Sequence, residues 1–207
     1  MRCFVTGTDT EVGKTYVTAL LTRSLRRAGL DTVALKPICC GPRDDVDALC
    51  AASEHELTPD ETNPIWLSTP AAPLVAARRE NTTIDLAALD RWFENIQTGR
   101  NSLLVEGVGG WAVPLAPGQT SADLAEMIGL PVLVVVANKL GCLNHTLLTL
   151  ESIQARGLTC AGIILNSLTE EATVATETNR EILAEFCSAP VLFEIKPGQT
   201  SVDLEIG

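Results

Sequence analysis

Six apolar runs punctuate the chain, at about residues 2–6, 32–35, 102–106, 131–137, 160–166 and 190–194, all rich in Val, Ile and Leu and without strict alternation. Strands covered on both faces read this way, because neither side of the pleat meets water. Between the runs lie segments of helical period: 14–28 with Val17, Leu20, Leu21 and Leu25; 85–97 with Leu86, Leu89, Trp92, Phe93 and Ile96; 143–156 with Leu147, Leu148, Leu150 and Ile153; and 171–186. Strand alternating with helix predicts an α/β fold, a doubly wound and mostly parallel sheet with helices on both faces. The interval 36–101 carries Pro37, Pro42, Pro59, Pro64, Pro70 and Pro73, with short helical stretches near 44–53 and 73–80. It is expected to form a wall of the site and a crossover. With no internal repeat, low-complexity tract or linker, residues 1–207 are expected to form a single domain.

In such sheets ligands bind beyond the carboxyl ends of the strands, so the residues after each run are the ones to inspect. After the first comes Gly7-Thr8-Asp9-Thr10-Glu11-Val12-Gly13-Lys14-Thr15, directly before a helical segment. Glycines there let the backbone turn its N–H groups inward, Lys14 supplies a mobile cation, Thr15 offers a hydroxyl to Mg²⁺, and the helix start adds its positive end. This is a phosphate-binding loop of the P-loop NTPase type in variant form, since five residues separate Gly7 from Gly13 and Thr8 replaces the usual glycine.

The 15 basic and 26 acidic residues give a net charge of −11, which argues against nucleic acid or an anionic membrane as partner. A polyanionic ligand must then be held by local cations. The strongest apolar run, Leu130 to Ala137, is too short to span a bilayer, and the first strand begins by residue 3 with no leader, so a cytoplasmic protein is expected. The seven cysteines form an odd set with no Cys-x-x-Cys pair, which fits packing roles in a reducing compartment; two histidines leave little material for zinc.

Pro37 ends the second strand and leaves Lys36 at the ligand edge, where position alone fits a ligand cation and a surface lysine equally. Asp44, Asp45 and Asp47 open a helix, whose dipole favours carboxylates with or without a ligand; Asp47, facing the same way as Asp44, is the one expected to reach a metal. Glu106 closes a buried strand before Gly107-Val108-Gly109-Gly110-Trp111, where an acid can hold Mg²⁺ and the glycines admit phosphates. Asn138-Lys139-Leu140-Gly141 lacks the acid that would read guanine. The helix start at Cys142-Leu143-Asn144-His145 can bind a carboxylate through its free N–H groups, and Asn166, ending another strand, can pair with a base edge or cap the turn.

Together the loop 7–15, Lys36-Pro37, Val105 to Trp111 and Lys139 to His145 resemble the dethiobiotin synthetases, over residues 2 to about 195. The resemblance implies a homodimer of parallel α/β subunits that uses Mg²⁺, ATP, CO₂ and 7,8-diaminononanoate. It implies that Lys14 holds the terminal phosphates, that Glu11, Val12, Gly13, Thr15 and Tyr16 wrap the nucleotide with Gly107, Val108 and Gly109, and that Asn166 contacts adenine. Thr15, Asp47 and Glu106 would surround Mg²⁺. Lys36 would orient the carbamate against the γ-phosphate, Thr10 would lie beside the diamine, and Gly141, Cys142, Leu143 and Asn144 of the partner subunit would receive the substrate carboxylate. Cys40 stands at the substrate position where these enzymes carry serine, and a thiol is a weak donor.

Two other classes share a related loop. Amide ligases of the cobyrinic acid type carry a glutaminase unit, which is not expected within these 207 residues and would have to come from a separate subunit. Partition and division-site ATPase switches carry a lysine five positions before the loop lysine, where this chain has Asp9.

Overall fold

The computed structural model describes residues 1–203. In chain order the elements are β1 (Arg2–Gly7), α1 (Lys14–Arg27), β2 (Thr32–Leu35), β3 (Ile38–Cys40), α2 (Asp44–Ala52), α3 (Pro59–Thr62), β4 (Ile65–Leu67), α4 (Pro73–Arg79), α5 (Leu86–Gln97), β5 (Ser102–Glu106), β6 (Pro114–Ala116), β7 (Gln119–Thr120), α6 (Ser121–Ile128), β8 (Val132–Ala137), α7 (Cys142–Ala155), β9 (Cys160–Asn166), α8 (Val174–Phe186) and β10 (Val191–Ile195).

Six strands form a wholly parallel sheet in the order β10-β9-β8-β1-β5-β2. Alternate residues of each strand face opposite sides. Phe4, Leu103, Val105, Val134 and Val136 pack into the larger core on one face, while Cys3, Val5, Leu104, Leu133 and Val135 meet Val17, Leu20, Leu21 and Leu25 of α1 on the other. Both faces are covered, which is why the strands read as unbroken apolar runs. Successive strands run outward from β1 to β2 and then jump from β5 across β1 to β8, so the carboxyl end of β1 is flanked by connections that part in opposite directions. A crevice opens there.

The chain leaves the main sheet at Lys36-Pro37, and β3 pairs in parallel with β4 in a small second sheet. Helix α2 lies over the edge strand β2: Ala19, Ala34 and Ala52 are small enough to let Leu49 close the gap, and the Ser53 hydroxyl accepts from the Ala34 N–H at 3.0 Å. This packing sets the start of α2 beside the end of β2. No helix among the described residues is long and apolar enough to cross a membrane.

Candidate active site

The loop between β1 and α1 is shaped by its glycines. Gly13 has φ +86°, a left-handed conformation, and a Cβ there would come within 2.2 Å of the Asn166 amide. A Cβ at Gly7 would meet Val12 at 2.7 Å and the Asp9 carbonyl at 2.8 Å. Gly13 is also the N-cap of α1 and brings no side-chain cap, so the first N–H groups of the helix keep no intrahelical partner and face the crevice. Asn166 donates to the Val12 carbonyl at 2.9 Å and so ties the loop to the end of β9. Across the crevice Gly110 packs on the backbone of Asp9, and buried Trp111 anchors its segment by donating to the Ser152 hydroxyl of α7 at 2.9 Å.

A cleft of about 640 Å³ lies over this loop. Thr10, Glu11, Gly13, Lys14, Thr15, Tyr16, Lys36, Cys40, Glu106, Val108 and Gly109 all line it, so most residues singled out in the sequence converge. At its floor is a network of charges. Leu35 pairs in register with Val105, which sets Lys36 opposite Glu106 on the α1 face of the sheet. The Lys36 ammonium donates to Glu106 at 2.5 Å and to Asp45 at 2.8 Å, and the Thr15 hydroxyl donates to the same Glu106 oxygen at 2.7 Å. Lys36 is 4% and Glu106 0% exposed, so the pair lies in a medium where Coulomb forces are strong. Burial works against the ammonium, but Glu106 and Asp45 outweigh it and hold the Lys36 pKa above the usual lysine value. Burial likewise pushes the Asp45 carboxyl up, and Lys36 more than reverses it, leaving the pKa lowered. Lys14, also buried, has its pKa lowered by burial, partly offset by Glu106, and donates to the Asp9 carbonyl at 3.1 Å.

Asp47 is not part of this cluster. It shares a helix face with Asp44, as expected from their i, i+3 spacing, but that face is exposed. Asp45, two positions earlier and about 200° around the helix, faces inward. Leu49 and Ala52, at i+4 and i+7 from Asp45, are buried on the same side; that apolar spacing was the sequence signal for Asp45. Gly107 packs against Phe4 beneath the cleft rather than lining it. Gly141, Cys142, Leu143 and Asn144 form the N-terminal end of α7, outside the cleft of their own chain. Cys40 is half-buried at the cleft wall, its pKa pushed up to about 11 mainly by burial, so it stands there as a neutral thiol. All seven cysteines are free. The segment after β10 folds back onto α1: the Tyr16 hydroxyl donates to the Gln199 carbonyl and the Val202 N–H donates to the Ser24 hydroxyl at 3.0 Å.

The donor set suits a hard divalent cation. Glu106 contributes one oxygen shared by Thr15 and Lys36, while its second oxygen is buried with no partner among the described residues. Asp45 adds a carboxylate and Thr15 the lone pairs of its hydroxyl. Among the described residues no three His, Cys, Asp or Glu side chains gather to hold a metal unaided. A cation here needs further oxygens from a bound phosphate, as Mg²⁺ sites commonly do.

Residues 1–203 match the family model described as an AAA domain. The chain is 47% identical over 207 residues to the ATP-dependent dethiobiotin synthetase BioD of Akkermansia muciniphila, covering 100% of this chain and 97% of that protein. It is 42% identical over 197 residues to the protein of the same name from Aromatoleum aromaticum, covering 91% and 87%. Among solved structures, the septum site-determining protein MinD of Pyrococcus horikoshii, complexed with Mg-ADP, superposes with a TM-score of 0.60 at 18% identity over 95% of this chain and 82% of that one. The pNOB8 ParA protein bound to nonspecific DNA reaches 0.60 at 11% identity, over 99% and 88%. At such identities the two structures establish a shared P-loop α/β fold alone.

Proposed function

The chain belongs to the ATP-dependent dethiobiotin synthetase family, and on that premise we propose how its cleft acts. It is an ATP-dependent ligase that forms dethiobiotin; the likeness to division and partition ATPases is one of fold. The reaction assigned here joins CO₂ to 7,8-diaminononanoate at the expense of ATP. One amine takes up CO₂ and loses a proton to become a carbamate. A carbamate oxygen then bonds to the γ-phosphorus as the β,γ-bridging bond breaks and ADP leaves. The second amine attacks the carbamate carbon, displaces phosphate and closes the cyclic urea.

The observation that carries this reading is the meeting of Lys36, Glu106, Asp45 and Thr15 at the foot of the phosphate loop. The reaction brings two anions together. Within the cleft the charges of Lys14 and Lys36 are outnumbered by those of Glu11, Asp45 and Glu106, so the side chains alone supply no surplus positive charge for a triphosphate. Mg²⁺ held by Thr15, Glu106 and Asp45 would supply that charge and polarise the phosphate oxygens. Lys36 touches the same two carboxylates, so it stands where such a cation is drawn and must turn toward the carbamate and γ-phosphate when the ligands arrive. Because its neighbours keep it protonated, Lys36 acts as a fixed cation rather than as a base. Lys14, released from the Asp9 carbonyl, reaches the terminal phosphates, and the N–H groups of Gly13, Lys14, Thr15 and Tyr16 meet the phosphate chain. Val108 and Gly109 close the other side, Asn166 lies at the adenine end, and Thr10, Lys36 and Cys40 adjoin the diamine.

The N-terminal end of α7, with Gly141, Cys142, Leu143 and Asn144, receives the substrate carboxylate of the neighbouring subunit in a homodimer. A soluble, cytoplasmic enzyme with no nucleic acid or membrane partner agrees with the net charge of −11. The deciding experiment is ADP formation by purified protein with Mg²⁺ and ATP, with and without 7,8-diaminononanoate and bicarbonate, followed by mass detection of the ureido product. Formation that depends on both co-substrates is expected; ADP release indifferent to the diamine would overturn the assignment.

A further inference from the structure

The corner at which Lys36 leaves the main sheet follows the edge strand β2, and on its open side its backbone groups are satisfied by the segment 62–65. The Lys36 N–H donates to the Thr62 carbonyl at 2.9 Å, and the Ile65 N–H donates to the Pro37 carbonyl at 3.2 Å. Between them stands Asn63, 2% exposed. Its amide nitrogen donates to the Lys36 carbonyl at 2.8 Å and to the Ile65 carbonyl at 2.9 Å, using both hydrogens. Its amide oxygen is buried with no partner among the described residues. The amide orientation follows from this pattern, since the flipped form would press its oxygen against two carbonyls. An idle buried acceptor is unfavourable for the fold. Asn63 is thus present for its two donors.

The segment that carries Asn63 is itself braced. Thr58 accepts from the Glu61 N–H and Glu61 from the Thr58 N–H, a reciprocal cap that fixes α3. Arg43 reaches the carbonyls of Pro59 and Asn63 at 3.0 and 3.4 Å, pairs with Asp60 at 2.9 Å and lies over the Trp66 ring at 5.3 Å.

We propose that Asn63 is a positioning residue for catalysis: by clamping the Lys36 carbonyl to the start of β4 it fixes the Lys36-Pro37 corner, so that the ammonium can move only through its own side-chain torsions between the carboxylates and the reacting phosphate. The inference rests on the role given to Lys36 above. Proline at 37 offers no N–H to a neighbour, and Asn63 supplies donors to the Lys36 and Ile65 carbonyls on either side of this corner.

The test compares Asn63→Ala, which removes both donors, with Asn63→Ser, which keeps one. The expected turnover falls about tenfold in Asn63→Ala and by less in Asn63→Ser, while KM for MgATP stays within about threefold because the phosphate loop is untouched. A second readout needs no turnover: acetylation of Lys36 by acetic anhydride, relative to exposed Lys139 of the same molecule and followed by mass spectrometry, rises in Asn63→Ala. Wild-type turnover with an unchanged labelling ratio, whatever the loss of thermal stability, would overturn the inference, as would nucleotide affinity falling in step with turnover. If Asn63→Ala does not fold, Asn63→Ser decides by the same readouts. Lys36→Ala measured in parallel separates the two ideas: wild-type turnover there sinks the role of Lys36, whereas an inactive Lys36→Ala beside a fully active Asn63→Ala sinks only the clamp.

Discussion

Lys36 and Glu106 are 70 positions apart in the chain and 2.5 Å apart in the fold, and only the strand register explains both numbers. In the sequence Lys36 read equally as a ligand cation or a surface lysine; 4% exposure and two carboxylate partners rule out the surface lysine. Replacing it by Ala is expected to lower turnover by about two to three orders of magnitude, as removal of one preorganised charge donor does. Steady-state kinetics checks this, and wild-type turnover would remove Lys36 from the mechanism. The neighbouring aspartates give a sharper contrast. Asp45→Asn is expected to weaken Mn²⁺ binding in the presence of ADP by about tenfold or more, and Asp47→Asn to leave it within about twofold, read by paramagnetic resonance of the metal. The reverse ranking would restore the position favoured by sequence. Sequence favoured Asp47 because i, i+3 spacing shows which residues share a face but not which face looks inward, and the buried neighbours of Asp45 are what turn that residue toward the cleft.

At the level of elements, the six long strands were legible because burial on both faces leaves each an unbroken apolar run. The short strands β3, β4, β6 and β7 and the helix α6 were not, since two to eight residues carry too little periodicity to stand out. Helix α6 begins with a local signal all the same. The Asp123 carboxylate accepts from the Thr120 N–H at 2.6 Å and the Thr120 hydroxyl at 2.7 Å, and pairs with Arg156 at the end of α7 at 2.9 Å. Burial, the largest single influence, pushes its pKa up, but the Thr120 and Arg156 contacts together prevail and leave it lowered. The folded value therefore lies below the unfolded one, so the stabilisation is complete above the unfolded value of 3.8 and is lost as pH falls through the folded value. Asp123→Asn is expected to cost about 0.5–2 kcal/mol at neutral pH, with the gap to wild type closing below that window. Chemical denaturation across pH measures this; a gap that widens in acid would contradict the cap.

On the scale of the whole molecule, a protein of net charge −11 gathers its useful cations in one crevice. The alternation of strands and helices made the architecture readable, and the spacing of residues 7–15 placed the crevice. The back-folded segment around Gln199 and the Asn63 corner were hidden because their contacts span long stretches of chain with no local pattern. The role proposed for the α7 N-terminus requires a second subunit, and subunit mixing tests that proposal. If the site is shared, Lys36→Ala and Asn144→Ala disable different halves of it, and their mixture is expected to regain about a quarter of wild-type activity through heterodimers with one intact site. No recovery, with subunit exchange shown by mass, would place the carboxylate contact elsewhere. The central claim, a carbamate oxygen striking the γ-phosphorus above the phosphate loop, is tested most directly by isotope. In brief reactions with ¹⁸O-labelled bicarbonate, Mg²⁺, ATP and 7,8-diaminononanoate, the released phosphate is expected to carry one ¹⁸O atom; phosphate without label beside newly formed ureido product would contradict it.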